Sequence, residues 1–302
     1  MKADTQVRVL LIGLLLFIGV APLVHAGLAD LDRDGIARAM GKTGIASGDI
    51  YKVSFTRSDL QVKAGKVIIQ PEFALTSWAA FKKSGESSMT YGDLVLLENE
   101  LNPVISKLEE KGIGVSAIHN HLIYETPRII YVHFLGYGNE VVLAEGLKAA
   151  LAVTGTPLKS EAASSEMKSE VAKQIEKILG YEGNMVSGVL HLNVPRNDIH
   201  VKTADKEIPG GMGMNTPLNF QMEGHKAAIN GDFLLLADEV NPVIKALRDN
   251  GIEIAALHNH MLDEEPRVFF VHFWGYGDSV SLAKALRAAL DKAGIKKSKG
   301  TQ

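Results

Sequence analysis

Two stretches of this chain are near copies of one another, and that duplication constrains the fold more than any other feature. Residues 118–138 read IHNHLIYETPRIIYVHFLGYG, and residues 257–277 read LHNHMLDEEPRVFFVHFWGYG. At a constant offset of 139, His119, His121, Pro127, Arg128, His133, Gly136 and Gly138 fall on His258, His260, Pro266, Arg267, His272, Gly275 and Gly277, with no insertion between. From 119 to 155, 20 of 37 positions are identical to their partners, so the histidines belong to a copied domain and are not isolated coincidences. A period this long exceeds the roughly 20–50 residues of solenoid repeats. It indicates two tandem domains, and 302 residues are enough to give each its own core.

The ends of the chain differ in character from the repeats. Lys2 and Arg8 precede an almost wholly apolar run, Val9 to Val24, and Val24-His25-Ala26 offers small residues for cleavage before Gly27. That is the three-part pattern of a secretory signal, cleaved so that no stable membrane anchor remains. The chain therefore divides into a signal at 1–26, a first repeat domain at 27–156, a linker at 157–174 and a second repeat domain at 175–302. Absence of cysteine removes disulfides, thiolate ligands and cysteine nucleophiles, and it fits an exported, periplasmic or secreted protein with a core large enough to need no staples. A net charge of −3 supplies no basic footprint for nucleic acid.

Within each repeat the patterning reads in the same order. Asp30–Gly41 has helical spacing; Ile50–Thr56 and Leu60–Lys63 alternate as a hairpin, as do Val189–Val194 and Ile199–Lys202. A Gly/Pro/Ser-rich connection follows, Gln70–Phe81 and Pro209–Phe220. Met212 and Met214 in it read as packing residues, because the first copy has Phe73 and Leu75 there. Apolar runs Gly92–Leu97 and Gly231–Leu236 lead to Asn102-Pro103 and Asn241-Pro242, an N-cap and first-turn proline for helices 103–111 and 242–250. Strands carrying the histidines come next, then a Gly-x-Gly turn opening helices 139–154 and 278–293. The fold class is α+β: two tandem repeats, each a β-hairpin followed by a β-α-β-β-α sandwich with an antiparallel sheet.

On a strand His119 and His121 share a face, their Cα atoms roughly 6.6 Å apart. His133 on the next strand falls diagonally beside His119. Three imidazoles could then hold a divalent ion, zinc in preference to copper, with a water or carboxylate as fourth ligand. The same holds for His258, His260 and His272. Glu125 and Glu264 in the connecting turns are candidate bases, and Arg128 and Arg267 candidate clamps for an anionic group. Glu100 and Glu239 read as structural first-turn acids. The His-Asn-His triplet invites comparison with HNH nucleases, which the missing basic surface argues against.

The paired Gly-Asp-Leu…Glu-x-Asn-Pro-Val, His-Asn-His and Pro-Arg…His-Phe-x-Gly stretches resemble the LppY/LpqO-type secreted proteins, over roughly residues 30–155 and 175–295. This chain departs from the lipoprotein members in having no lipobox cysteine. The resemblance implies export and a duplicated domain of unknown function; it implies no activity. Two functions stay open on the sequence: a periplasmic metal protein, with hydrolysis if a ligand position is free, and a non-catalytic small-ligand-binding or interaction protein whose histidines are structural.

Overall fold

A computed structural model describes residues 30–159 and 165–298, so the expected signal at 1–26 lies outside the described residues. Each repeat is an antiparallel sheet with helices on one face. In the first, strands Ile45–Ser47, Ile50–Thr56, Thr76–Ser84, Ser87–Leu97, Ile129–Gly138 and Gly114–His119 lie side by side in that order. The second repeats this arrangement, from Ser165–Glu166 and Gly183–Val186 at one edge to Phe269–Asp278 and Glu253–His258 at the other. Helices Arg33–Met40, Glu98–Glu109 and Glu140–Leu151 bury Ile36, Met40, Val104, Leu108, Leu143 and Leu147 against Val53, Phe55, Leu94 and Phe134 of the first sheet. Helices Glu170–Leu179, Ala237–Asp249 and Ser279–Lys292 do the same in the second.

The helix-free faces bury apolar side chains from both repeats at once. The arm at 62–75 of the first repeat (Val62, Val67, Ile69, Phe73, Leu75) packs with Val189, Ala228 and Trp274 of the second. Its counterpart (Val201, Ile208, Met212, Met214) packs with Ile50, Ala80, Met89 and Tyr91 of the first. Most of these positions correspond at the offset of 139, so the repeats embrace one another about a pseudo-two-fold axis. Met212 and Met214 are buried in this seam, as expected of packing residues. Polar links cross it too: the Gln221 amide accepts from the Gln70 N–H at 2.8 Å and donates to the Ile68 carbonyl at 2.8 Å.

Three local expectations need correction. The helices expected at 103 and 242 begin at Glu98 and Ala237, placing Pro103 and Pro242 inside them. Glu100 closes the earlier first turn by accepting the Leu97 N–H at 2.8 Å, and Glu239 does the same for Leu236. That capping fixes the start of each helix a turn ahead of its proline. Second, Thr76–Ser84 and Asn215–Glu223 are full strands where a loose connection was expected. Their inward positions carry Thr76, Trp78, Asn215 and Asn219, side chains that line a cavity, and this blurs the apolar alternation. Third, Gly136 and Gly138 end a strand. The following helix packs against Gly136, where a Cβ would meet the Leu143 side chain at 3.0 Å.

Buried Arg57 ties the first sheet to its helix. It donates to Asp59, to both oxygens of Glu100 and to the Val95 carbonyl, and Arg196 makes the corresponding bonds to Asp198, Glu239 and Leu234. Glu100 and Glu239 are thus structural, partnered acids.

Candidate metal centre

All six histidines of the duplicated motif meet in one place, between the repeats. His119 and His258 end corresponding edge strands, and their rings stack with centroids 3.9 Å apart. Around that pair, His121 approaches His272 and His133 approaches His260, each at 4.0 Å. The His-x-His of one repeat therefore faces the third histidine of the other. His133 does lie diagonal to His119, opposite Ala117 in the ladder, with ring centroids 4.7 Å apart. Sets that could hold an ion are His119, His121 and His272; His119, His133 and His258; and Asp232, His258 and His260, with the ligand atoms of each set all within 4.8 Å of one another. Two of the three draw on both repeats. The sequence expectation of one self-contained triad per repeat is thus redrawn, because the helix-free faces pack against each other.

The sheets aim these rings. His133 Nδ1 lies 3.1 Å from the Gly92 carbonyl and His272 Nδ1 2.9 Å from the Gly231 carbonyl. A carbonyl only accepts, so Nδ1 carries the proton and Nε2 is left as a lone pair pointing into the cluster. This is how metal-binding imidazoles are commonly oriented. Gly92 is needed for the approach, since a Cβ on it would lie 2.1 Å from the Trp78 carbonyl oxygen; at Gly231 the Pro217 oxygen would be at 2.2 Å. Tyr131 stacks on His121 and Phe270 on His260, with ring centroids 3.5 and 3.2 Å apart, forming aromatic walls.

Asp93 and Asp232 supply the carboxylates. His121 Nε2 is 3.1 Å from Asp93 Oδ2, and His260 Nε2 is 3.1 Å from Asp232 Oδ2. His121 Nε2 is also 3.0 Å from His119 Nε2. Sequence reasoning missed both aspartates as site residues, although a signal existed: each is the one charge in an apolar strand run, at the same place in both copies.

The four other expected site residues stand away from this cavity. Arg128 is exposed, 3.9 Å from Glu98, and Glu125 pairs with Ala64 in a short outer ladder. Arg267 binds the buried Glu264 at 3.2 Å. None of the four lines the space beside the histidines. Glu264 is close enough to help push the Tyr91 phenol up, and Glu125 the Tyr131 phenol, both effects led by burial.

Among the described residues, eleven buried side-chain polar atoms lack a hydrogen-bond partner, and eight belong to this cluster: Asp93 Oδ1, His119 Nδ1, His133 Nε2, Asp232 Oδ1, both nitrogens of His258, His260 Nδ1 and His272 Nε2. Leaving such a group bare costs about 1–3 kcal/mol, which a bound cation would offset. Burial also disfavours charge on every member. It pushes His121 down to about 3 and holds His119, His133, His258, His260 and His272 below the usual imidazole range. It raises Asp93 to about 6 and Asp232 well above the carboxylate range. Neutral imidazoles and charge-starved carboxylates converging on one volume form a donor set suited to a divalent cation.

A cavity of about 470 Å³ opens beside the cluster, and its lining includes Lys52, Trp78, Asp93, His121, His191 and Asp232. Burial lowers Lys52 to about 8, against the pull of Asp93.

Two solved structures show a distant likeness. One is EtuB from Clostridium kluyveri, 10% identical, covering 82% of this chain and 90% of that one at a TM-score of 0.20. The other is the trimeric bacterial microcompartment shell protein PduB, 12% identical, covering 82% and 89% at a TM-score of 0.20. Likeness at that level carries no argument about this chain. No curated protein matches it. A family model, in contrast, matches twice, over residues 34–153 and 173–292, and these segments contain every histidine and aspartate of the cluster. The chain belongs to the family described as Domain of Unknown Function (DUF1259), which it carries in two copies.

Proposed function

We propose that this is an exported metal protein that binds two divalent ions at the seam between its repeats, zinc in preference to copper. One ion is held by His119, His121 and His272, and the other by His258, His260 and Asp232 with His133 beside them. The observation that carries the reading is the concentration of unpartnered, buried nitrogen and oxygen atoms on these side chains. Histidines kept only for structure would have partners, because burying them bare gains nothing. Zinc suits a donor set of imidazole nitrogens and carboxylate oxygens, and its filled d shell adds no geometric demand of its own to the tetrahedral arrangement it usually takes. Export rests on the charged, apolar and small-residue pattern of residues 1–26 and on the resemblance to LppY/LpqO-type secreted proteins.

The cavity next to the ions supports a hydrolytic role on a small molecule. A divalent ion there supplies Lewis acidity. Asp93, 3.1 Å from His121 and outside both ligand sets, is placed to take up and return a proton. Elemental analysis tests the binding claim, on mature protein purified without chelator or affinity-tag metal. We expect about two ions per chain, and none in a folded variant with His119, His121, His258 and His260 changed to alanine. Absence of metal from the parent after loading and dialysis would refute it.

A further inference from the structure

The metal-cluster positions are nearly identical in the two repeats, but the cavity walls beside them are not. At the offset of 139, Lys52 corresponds to His191, Ser54 to Asn193, Thr76 to Asn215, Trp78 to Pro217 and Ala80 to Asn219. The strand registers confirm the equivalence: Lys52 pairs with Ala80 as His191 pairs with Asn219, and Ser54 with Trp78 as Asn193 with Pro217. A symmetric centre thus opens into a cavity with two unlike walls. One wall offers an ammonium over an indole, and the other an imidazole and three amides.

Lys52 is the informative member. Its Nζ sits 3.9 Å from the Trp78 ring centroid and makes no hydrogen bond or ion pair among the described residues. An ammonium held in a cavity against an aromatic face retains unused donors and positive charge. Across the cavity, His191 Nδ1 lies 2.8 Å from Asn219 Oδ1, and Asn219 Nδ2 donates to Asn230 Oδ1 at 3.0 Å. That chain fixes the proton on Nδ1 and turns His191 Nε2 outward as an acceptor. With Asn193 and Asn215 also on that wall, it can exchange hydrogen bonds with hydroxyl groups.

We propose that the cavity binds a small hydroxylated organic anion, its acid group on Lys52 and its hydroxyls on the His191 and asparagine wall. This deepens the metal reading of the same site by naming its substrate class. The volume, about 470 Å³, is within the roughly 300–1,000 Å³ of small-molecule pockets.

The test is calorimetric titration of the metal-loaded full chain with gluconate and with glucitol, its neutral counterpart, beside K52M and K52R. We expect gluconate to bind the native chain, K52M to weaken it at least tenfold, K52R to restore it to within about threefold, and glucitol to be indifferent to all three. Equal gluconate affinity in native and K52M, or no gluconate binding by the loaded native chain, would overturn the proposal. Metal content and unfolding midpoint are measured on the same samples. Lys52-dependent binding in protein that takes up no metal would sink the metal reading and leave the pocket. Metal with Lys52-independent binding would do the reverse.

Discussion

Removing His272, in the second repeat, should empty the half of the centre that holds the His-x-His of the first. Its ring centroid lies 4.0 Å from that of His121 and 5.2 Å from that of His119, and these three are one of the candidate ligand sets. Losing a mere supporting bond around a metal ligand costs about 10–100-fold in affinity. Losing one of three imidazoles outright should therefore cost at least about 100-fold, or about 2.7 kcal/mol. His121→Ala should do the same, because it strips the same ion. The double variant H121A/H272A then removes nothing further, and the other position, around His258, His260 and Asp232, survives in all three. Competition with a fluorescent zinc chelator reads the number of tight ions and their affinities. The expectation is one tight ion in H121A, one in H272A and one in the double variant. If each repeat held its own ion, either single variant would keep one and the double variant none, and that result would refute the shared centre.

Other consequences follow from the same geometry. Gly92→Ala drives a Cβ to 2.1 Å from the Trp78 carbonyl oxygen, a backbone atom that cannot swing aside. We expect a loss of about 1–3 kcal/mol in urea unfolding, with reduced zinc affinity through His133; an unchanged midpoint would contradict this. Arg57→Met leaves Glu100 and Asp59 without their buried cation, for an expected loss of about 3–5 kcal/mol, and a loss under about 1 kcal/mol would disprove the structural role assigned to it. The metal-free chain should lose stability as pH falls below about 6.5. There the unfolded histidines gain protons that the buried ones refuse, and for His121, down at about 3, this amounts to about 1.4 kcal/mol per pH unit. Asp93, raised to about 6, acts oppositely between its unfolded value and 6, as does Asp232, but two carboxylates oppose six imidazoles. Chemical denaturation between pH 7 and 5 checks this, and a flat or rising stability on acidification would count against the buried neutral cluster.

What the sequence made legible was whatever one repeat determines locally. The helices at Arg33–Met40, Glu140–Leu151 and Ser279–Lys292 follow from apolar residues at helical spacing, and the diagonal His119–His133 contact follows from strand alternation. The meeting of candidate ligands from both repeats in one cluster was not legible. It depends on the arms at 62–75 and 201–214 burying their apolar residues on the opposite sheet, and no spacing within one copy encodes that. The same blindness explains the turn residues: Glu125, Arg128 and Arg267 are near the histidines in the chain, but their strand pairs and ion pairs hold them off the cavity. Asp93 and Asp232 are distant in sequence, and only ladder register brings them beside the histidines.

The most direct test of the central claim is an anomalous difference map, collected at the metal absorption edge, from crystals of the zinc-loaded chain. Two peaks are expected at the seam, one bounded by imidazoles of His119, His121 and His272 and one beside His258, His260 and Asp232. A peak bounded by His119, His121 and His133 alone, with its copy around His258, His260 and His272, would contradict the shared centre. No peak near these side chains would contradict metal binding itself.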